Sequence, residues 1–239
     1  MPRWIAFVCA MPMELTPLKK KLSLGKSRLG ALDAHTGALD GRPVVAIVTG
    51  MGTRLATTGV ERLLAALEVE RVVVVGITGA IHPESEIGEL VLPEAVVDGD
   101  TGTEFHPQPL GVGRPSGKMW TSDALITDPG EVAGLRADGV VALDMETAAV
   151  ARVCEGHGIP WSVFRAFSDR TTDGVIDDEV FHLSHQDGTP DAKAVAAYLV
   201  KHPGRVPAMA RMAKDAKLAT ERAAEAAVTA VSQSFRAGS

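Results

Sequence analysis

The sequence predicts a single-domain α/β protein, a three-layer α/β/α sandwich whose mixed, mostly parallel central sheet is covered on both faces. Three observations predict it. Short β-branched runs recur along residues 1–239 and are almost continuously apolar, as strands buried on both sides require. Helical stretches of ordinary length separate them in repeated β-then-α order. No internal repeat or linker-like shift in composition breaks the pattern, and 239 residues with 46% apolar content suffice for one sizeable core.

Residues 4–10 (WIAFVCA) read as the first strand and 12–22 as a helix; 43–49 (PVVAIVT) read as the second strand. Residues 53–67 form the next helix, with Leu63, Leu64 and Leu67 at helical spacing. Residues 71–76 (RVVVVG) and 89–97 (ELVLPEAVV) are the next strands, Pro93 marking a bulge or an edge in the latter. The Gly/Pro-rich stretch 98–118 reads as a long loop. Strands at 140–143 (VVAL) and 161–167 (WSVFRAF) flank a helix at 146–155 that Gly156 and Gly158 stop. From 191 to 239 the chain is Ala-rich and helical, broken at His202-Pro203-Gly204. Residues 207–233 read as a terminal helix that frays at its end.

Charge and composition exclude several classes. The net charge of −6 carries no basic stripe, and Lys19-Lys20-Lys21 reads as a solvated helix end, so nucleic acid is not an expected partner. Aromatics at 4% do not build a base-stacking platform. No apolar run reaches the roughly 18–20 residues of a membrane span, and the N-terminus does not read as a signal peptide. Cys9 and Cys154 sit in apolar runs without metal-ligand spacing and read as small buried hydrophobes in a reducing, cytoplasmic compartment.

In open α/β sheets ligands bind beyond the carboxyl ends of the strands. The segments at those ends are chemically dense: Ala10-Met-Pro-Met-Glu14, Thr49-Gly-Met-Gly-Thr53, Gly76-Ile-Thr-Gly-Ala80, Asp144-Met-Glu146 and Arg165-Ala-Phe-Ser-Asp169. Each piece also has a bland reading. Glu14 suits a first-turn acid, Asp144 and Glu146 suit a helix start, Asp169 suits a turn, and Arg165 suits a strand-end charge paired with Asp144. Their convergence at one end of the sheet is what points to a site.

Five segments in order strengthen that reading: "CAMPMEL", "HTGALDGRPVVAIVTGMG", "VVVVGITGAIHPESEIGELVL", "TSDALI" and "LDMETAAVARVCEGHGIPWSVFRAFSD". Together they resemble the nucleoside phosphorylase superfamily, in particular its 5′-methylthioadenosine/S-adenosylhomocysteine nucleosidases. The resemblance implies a nucleoside phosphorylase-like fold and hydrolysis of the N-glycosidic bond of a purine nucleoside, without metal or organic cofactor. It implies that Asp169 protonates the five-membered ring of the base and that Glu14, with Arg165 nearby, activates the water. Glu146 would grip the ribose hydroxyls and Met145 the sugar face, with Ser168, Leu125, Ile126, Ile77, Thr78 and Gly79 completing the substrate site. A homo-oligomer, a dimer by preference, is the implied assembly. The alternatives are a phosphate-dependent phosphorylase of the same fold and a nucleoside-binding relative without catalysis.

The sequence departs from the family pattern at several positions. Ile77 stands where phosphorylases place a phosphate-binding hydroxyl, and no arginine occupies an N-terminal Gly-Asp-Pro turn; both changes favour water. Thr53 and Arg54 after the glycine turn keep phosphate in contention. Leu125 replaces a phenylalanine against the base, at a stacking cost of roughly 1 kcal/mol. Thr147 replaces a smaller alanine. The added C-terminal residues are expected to serve packing rather than the pocket.

Overall fold

A computed structural model describes residues 3–174 and 178–237. The chain runs β1 (Trp4–Cys9), α1 (Pro12–Lys21), β2 (Gly25–Leu29), β3 (Leu32–Leu39), β4 (Arg42–Val48), α2 (Thr53–Ala66) and β5 (Val69–Ala80). It continues through β6 (Leu90–Val91), β7 (Ala95–Asp98), β8 (Glu104–Phe105), β9 (Lys118–Thr121), α3 (Pro129–Ala137) and β10 (Val140–Asp144). Last come α4 (Thr147–Gly156), β11 (Trp161–Arg170), α5 (Asp178–Phe181), α6 (Ala192–Lys201) and α7 (Val206–Ala237).

All strands join one sheet, ordered β2-β3-β4-β1-β5-β10-β9-β7-β8, with β11 and then β6 branching from β5. Pairing is parallel for β1 with β4 and β5, and for β5 with β11. Antiparallel pairs at β2–β3, β3–β4, β5–β10, β6–β11 and β7–β8 make the sheet mixed.

The near-continuous apolar runs have the cause inferred from them. Alternate residues of a strand point to opposite faces, and in β1 Ala6 and Val8 join a core with Ala56, Val60 and Leu63 of α2 and Ala148 of α4. Ile5, Phe7 and Cys9 join a second core with Leu15 and Leu18 of α1 and Ala219, Ala223 and Ala227 of α7. Two helical layers thus sandwich the sheet. Cys9 and Cys154 are buried free thiols. No helix among the described residues is long and apolar enough to cross a membrane.

The structure departs from the sequence expectations in several places. The run 89–97 divides at Pro93 into β6 and β7, because proline cannot donate to the ladder. The stretch 98–118 contains β8 and leads into β9, and α3 lies in a region for which no element was expected. Strand β5 runs on through Gly76-Ile-Thr-Gly-Ala80, and β11 through Arg170, so two expected post-strand loops are strand. The break at 202–204 separates α6 from α7 as expected. Helix α7 runs on through Ala237, past the expected end at 233; Gly238 and Ser239 lie outside the described residues, as do Met1, Pro2 and residues 175–177 of the single domain assigned to 1–239.

Candidate active site

Loops and strand ends of β1, β4, β5, β10 and β11 surround a cavity of about 190 Å³. Every residue singled out from sequence lines it: Glu14, Ile77, Thr78, Gly79, Leu125, Ile126, Met145, Glu146, Arg165, Ser168 and Asp169. Sequence reasoning missed Met11, Met51 and Phe181, which line it too. Met11 and Met51 lay inside quoted motifs but looked like filler between acid and glycines. Phe181 carries no local signal, because only the path of the chain after β11 brings it to the cavity.

Glu14 opens α1 and is buried. Its Oε2 accepts the N–H groups of Ala10 (2.8 Å) and Met11 (3.0 Å), and its Oε1 accepts that of Ile77 (2.9 Å). The first two bonds satisfy amides at the start of a helix, so the bland reading of Glu14 is also true. The third reaches across to β5. A Cβ built on Gly76 would stand 2.1 Å from Glu14 Oε1, so only glycine lets the strand pass this close. Burial raises the Glu14 pKa above the ordinary carboxylate value, against the opposing pull of Arg165 and the backbone amides.

Arg165 is the hub, with a side chain only 2% exposed. Its Nη2 donates to Asp144 Oδ2 (2.7 Å), Thr147 Oγ1 (3.1 Å) and Glu146 Oε2 (3.4 Å). Its Nη1 donates to the Ile77 carbonyl (2.9 Å) and lies 3.5 Å from Glu14 Oε1. Burial alone would lower its pKa, but Asp144, Glu14 and Glu146 outweigh that and hold it charged.

Asp144 is a structural acid. It accepts from Thr121 Oγ1 (2.6 Å) and from the Thr147 amide (2.9 Å) at the start of α4. Thr147, unexplained by sequence, now has a reason: its hydroxyl donates to Asp144 and accepts from Arg165, closing that network. Glu146 has one oxygen tied to the Gly52 amide (2.9 Å), which pins the glycine turn after β4. Burial, opposed by Arg165 and reinforced by Asp144 and Glu14, pushes the Glu146 pKa up to about 7.

Ser168 and Asp169 both face the cavity because the β11–β5 register shifts between Phe167 and Asp169, a bulge that re-aims side chains. The Ser168 hydroxyl donates to Asp169 Oδ1 (2.5 Å). Burial raises the Asp169 pKa; the Ser168 bond opposes this and Asp173 adds to it. The bare Cα of Gly79 leaves Asp169 Oδ2 at ordinary contact distance from where a Cβ would be. Thr78 lines the cavity, yet its hydroxyl is engaged with the Leu143 carbonyl (2.7 Å) and serves the β5–β10 join. Among the described residues no cluster of His, Cys, Asp or Glu could hold a metal ion.

The added C-terminal residues do more than pack. Helix α7 does cover the sheet, but the Gln186 carbonyl accepts the Met51 amide (2.8 Å), and a Cβ on Gly188 would strike Met11. Of this part of the chain Phe181 lines the cavity, and Ser184 and Gln186 line the recess beside it.

A family model for the phosphorylase superfamily matches residues 5–126 and 108–202. Among curated proteins, the 5′-methylthioadenosine/S-adenosylhomocysteine nucleosidase of Marinomonas sp. (strain MWYL1) is 27% identical over 196 residues, covering 69% of this chain and 85% of that one. The protein of the same name from Bacillus cereus (strain B4264) is 26% identical with the same coverage. The solved structure of the Neisseria meningitidis nucleosidase of that name, in complex with methylthio-immucillin-A, superposes with a TM-score of 0.72 at 18% identity, covering 97% of this chain and 99% of that one. Futalosine hydrolase of Helicobacter pylori strain 26695 also superposes with a TM-score of 0.72, at 16% identity, covering 97% and 98%. At such identities these structures speak to the fold.

Proposed function

The chain belongs to the phosphorylase superfamily, and from that premise we propose that it hydrolyses the N-glycosidic bond of a purine nucleoside of the 5′-methylthioadenosine/S-adenosylhomocysteine type, releasing free base and sugar. Cleaving this bond leaves positive charge on the ribose and negative charge on the base, so acid, base and sugar grip are all needed. In the proposed complex the base lies along Leu125, Ile126 and the Ile77–Gly79 stretch of β5. Asp169, whose burial favours the acid form, donates to the five-membered ring, with Ser168 orienting it. Glu146 accepts from the ribose hydroxyls and Met145 covers the sugar face. Glu14 orients the attacking water and takes its proton, with Arg165 opposing the rise that burial imposes on its pKa.

The observation that carries this reading is the seating of Glu14. Three backbone amides and the neighbouring Arg165 hold a buried carboxylate in the wall of the cavity. A carboxylate there accepts a proton from water, whereas it repels a phosphate dianion. The nucleosidases among the relatives support the same choice. The proposed reaction draws on no metal or organic cofactor. A homodimer in the cytoplasm completes the proposal, and light scattering on the purified protein tests the dimer.

The decisive assay measures base release from a panel of purine nucleosides with and without millimolar phosphate. Equal rates and free sugar as product are expected, with Glu14→Gln losing at least about 10² in rate. A ribose 1-phosphate product would instead make the protein a phosphorylase. Binding without any base release would make it a non-catalytic relative.

A further inference from the structure

Thr147, the first residue of α4, is wholly buried, and its hydroxyl lies between the Asp144 carboxylate and the Arg165 guanidinium. It donates to Asp144 Oδ2 and accepts from Arg165 Nη2 (3.1 Å). The same Nη2 also donates to Asp144 Oδ2 (2.7 Å) and to Glu146 Oε2 (3.4 Å). Each Nη of a guanidinium carries two hydrogens, so three acceptors compete for them here. Distance sets the order: Asp144 takes one hydrogen, Thr147 and Glu146 divide the other, and Glu146 receives the smaller share. The rest of the guanidinium does not make up the difference. Nη1 faces the Ile77 carbonyl and Glu14, and Nε has no partner among the described residues.

Glu146 is unevenly held as a result. Its Oε1 accepts the Gly52 amide at 2.9 Å, whereas Oε2 has, among the described residues, only the long contact to Arg165. Oε2 is therefore the oxygen left to accept from a ligand in the cavity that Glu146 lines. The charged groups facing Glu146 are Arg165 of β11, Asp144 of β10 and Glu14 of α1. Cys9 of β1 is close enough to act on Arg165, but burial pushes its thiol pKa up, so it adds no charge near neutrality.

We propose that Thr147 is a positioning residue: its hydroxyl holds an Arg165 hydrogen that would otherwise close on Glu146, and so keeps Glu146 Oε2 free for the sugar. That the ligand is a sugar rests on the nucleosidase reading. Removing the hydroxyl has two opposed effects. The freed Arg165 hydrogen turns to Glu146 and tightens a charge-assisted bond that favours the carboxylate. Asp144 loses a neutral donor, which leaves its charge less satisfied and disfavours a second carboxylate nearby. The first effect wins, because it is a direct contact between cation and carboxylate. Asp144 meanwhile keeps Thr121 (2.6 Å), the amide of residue 147 (2.9 Å) and Arg165 itself. Without the hydroxyl, Glu146 becomes a better-paired anion and a poorer acceptor for the sugar.

The test uses the full chain as parent, Thr147→Val, Thr147→Ala and Thr147→Ser. Valine keeps the shape without the hydroxyl, alanine suits a helix should valine fail to fold, and serine restores the hydroxyl. Carbon-13 NMR of carboxyl-labelled glutamate follows the Glu146 titration, its resonance assigned by its loss in Glu146→Gln. In Thr147→Val and Thr147→Ala the midpoint is expected to move to lower pH by about one unit, and in Thr147→Ser to return to the parent position. In base-release assays the rising limb of kcat/KM is expected to move with it, and KM above that limb to rise several-fold in the valine and alanine variants. A midpoint that stays or moves to higher pH in those two variants, a serine variant that matches them, or a KM unchanged in both would overturn the proposal. The titration needs no turnover. Absence of base release from every purine nucleoside would overturn the nucleosidase reading, and the midpoints would still decide the role of Thr147.

Discussion

At Asp169 the bulge in β11 and the burial of the carboxyl act together: one aims the side chain into the cavity and the other raises its pKa, which favours the acid form. Asp169→Asn preserves the shape and removes the proton that the proposed reaction transfers. Turnover on a purine nucleoside is expected to fall by about 10²–10⁴ with substrate binding largely kept, as single-turnover kinetics and equilibrium binding would report. Glu146 sets the other limb of the pH profile. Its carboxyl, pushed up to about 7, must lose its proton to accept from both ribose hydroxyls. Below that value the ionised fraction falls about tenfold per pH unit, so ionisation of Glu146 should make kcat/KM climb as pH rises toward about 7. As pH rises through the Asp169 pKa, the acid form is lost and the profile turns down. Glu146→Gln should lower activity and abolish the rising limb. A rising limb unchanged in that variant would assign it to another member of the Glu14–Asp144–Glu146 cluster.

At the scale of elements, the site depends on β5 passing α1 at very close range. Gly76 of β5 has no Cβ, and one placed there would stand 2.1 Å from Glu14 Oε1 and 2.7 Å from Arg165 Nη1. Those atoms cannot move cheaply, because backbone amides hold the carboxylate and three acids hold the guanidinium. Gly76→Ala is therefore expected to destabilise the protein by about 2–4 kcal/mol and to lower activity by at least about 10². Denaturant melts and base-release assays on the same preparation measure both. Normal activity with normal stability would mean that the strand and helix do not approach as described.

For the whole molecule, the C-terminal helix closes the second layer. Helix α7 lays Ala219, Ala223, Ala224, Ala227 and Ala230 against the sheet and α1, all fully buried, so alanine here sets a close approach. Ala223→Leu should overpack this layer and cost about 1–3 kcal/mol, read as a lower Tm without loss of helical signal. What the sequence by itself determined is whatever depends on local pattern. Double-faced apolar runs announced covered strands such as β1. Prolines and glycines placed the breaks at 93, 156–158 and 202–204. The ordered motifs brought Glu14, Glu146, Arg165 and Asp169 to one end of the sheet. The tertiary structure alone decided the rest. The short strand β9 and the helix α3 carry too few residues for a periodicity to emerge, and only neighbours identify them. Thr147 acquired its purpose from Asp144 and Arg165, the latter 18 residues away in sequence. Phe181, Gln186 and Arg54 came to share one recess because the chain after β11 folds back over the glycine turn. Local pattern reports how each segment meets solvent and core. Contacts between distant segments are fixed by packing free energy summed over the whole molecule, which no short stretch of sequence contains.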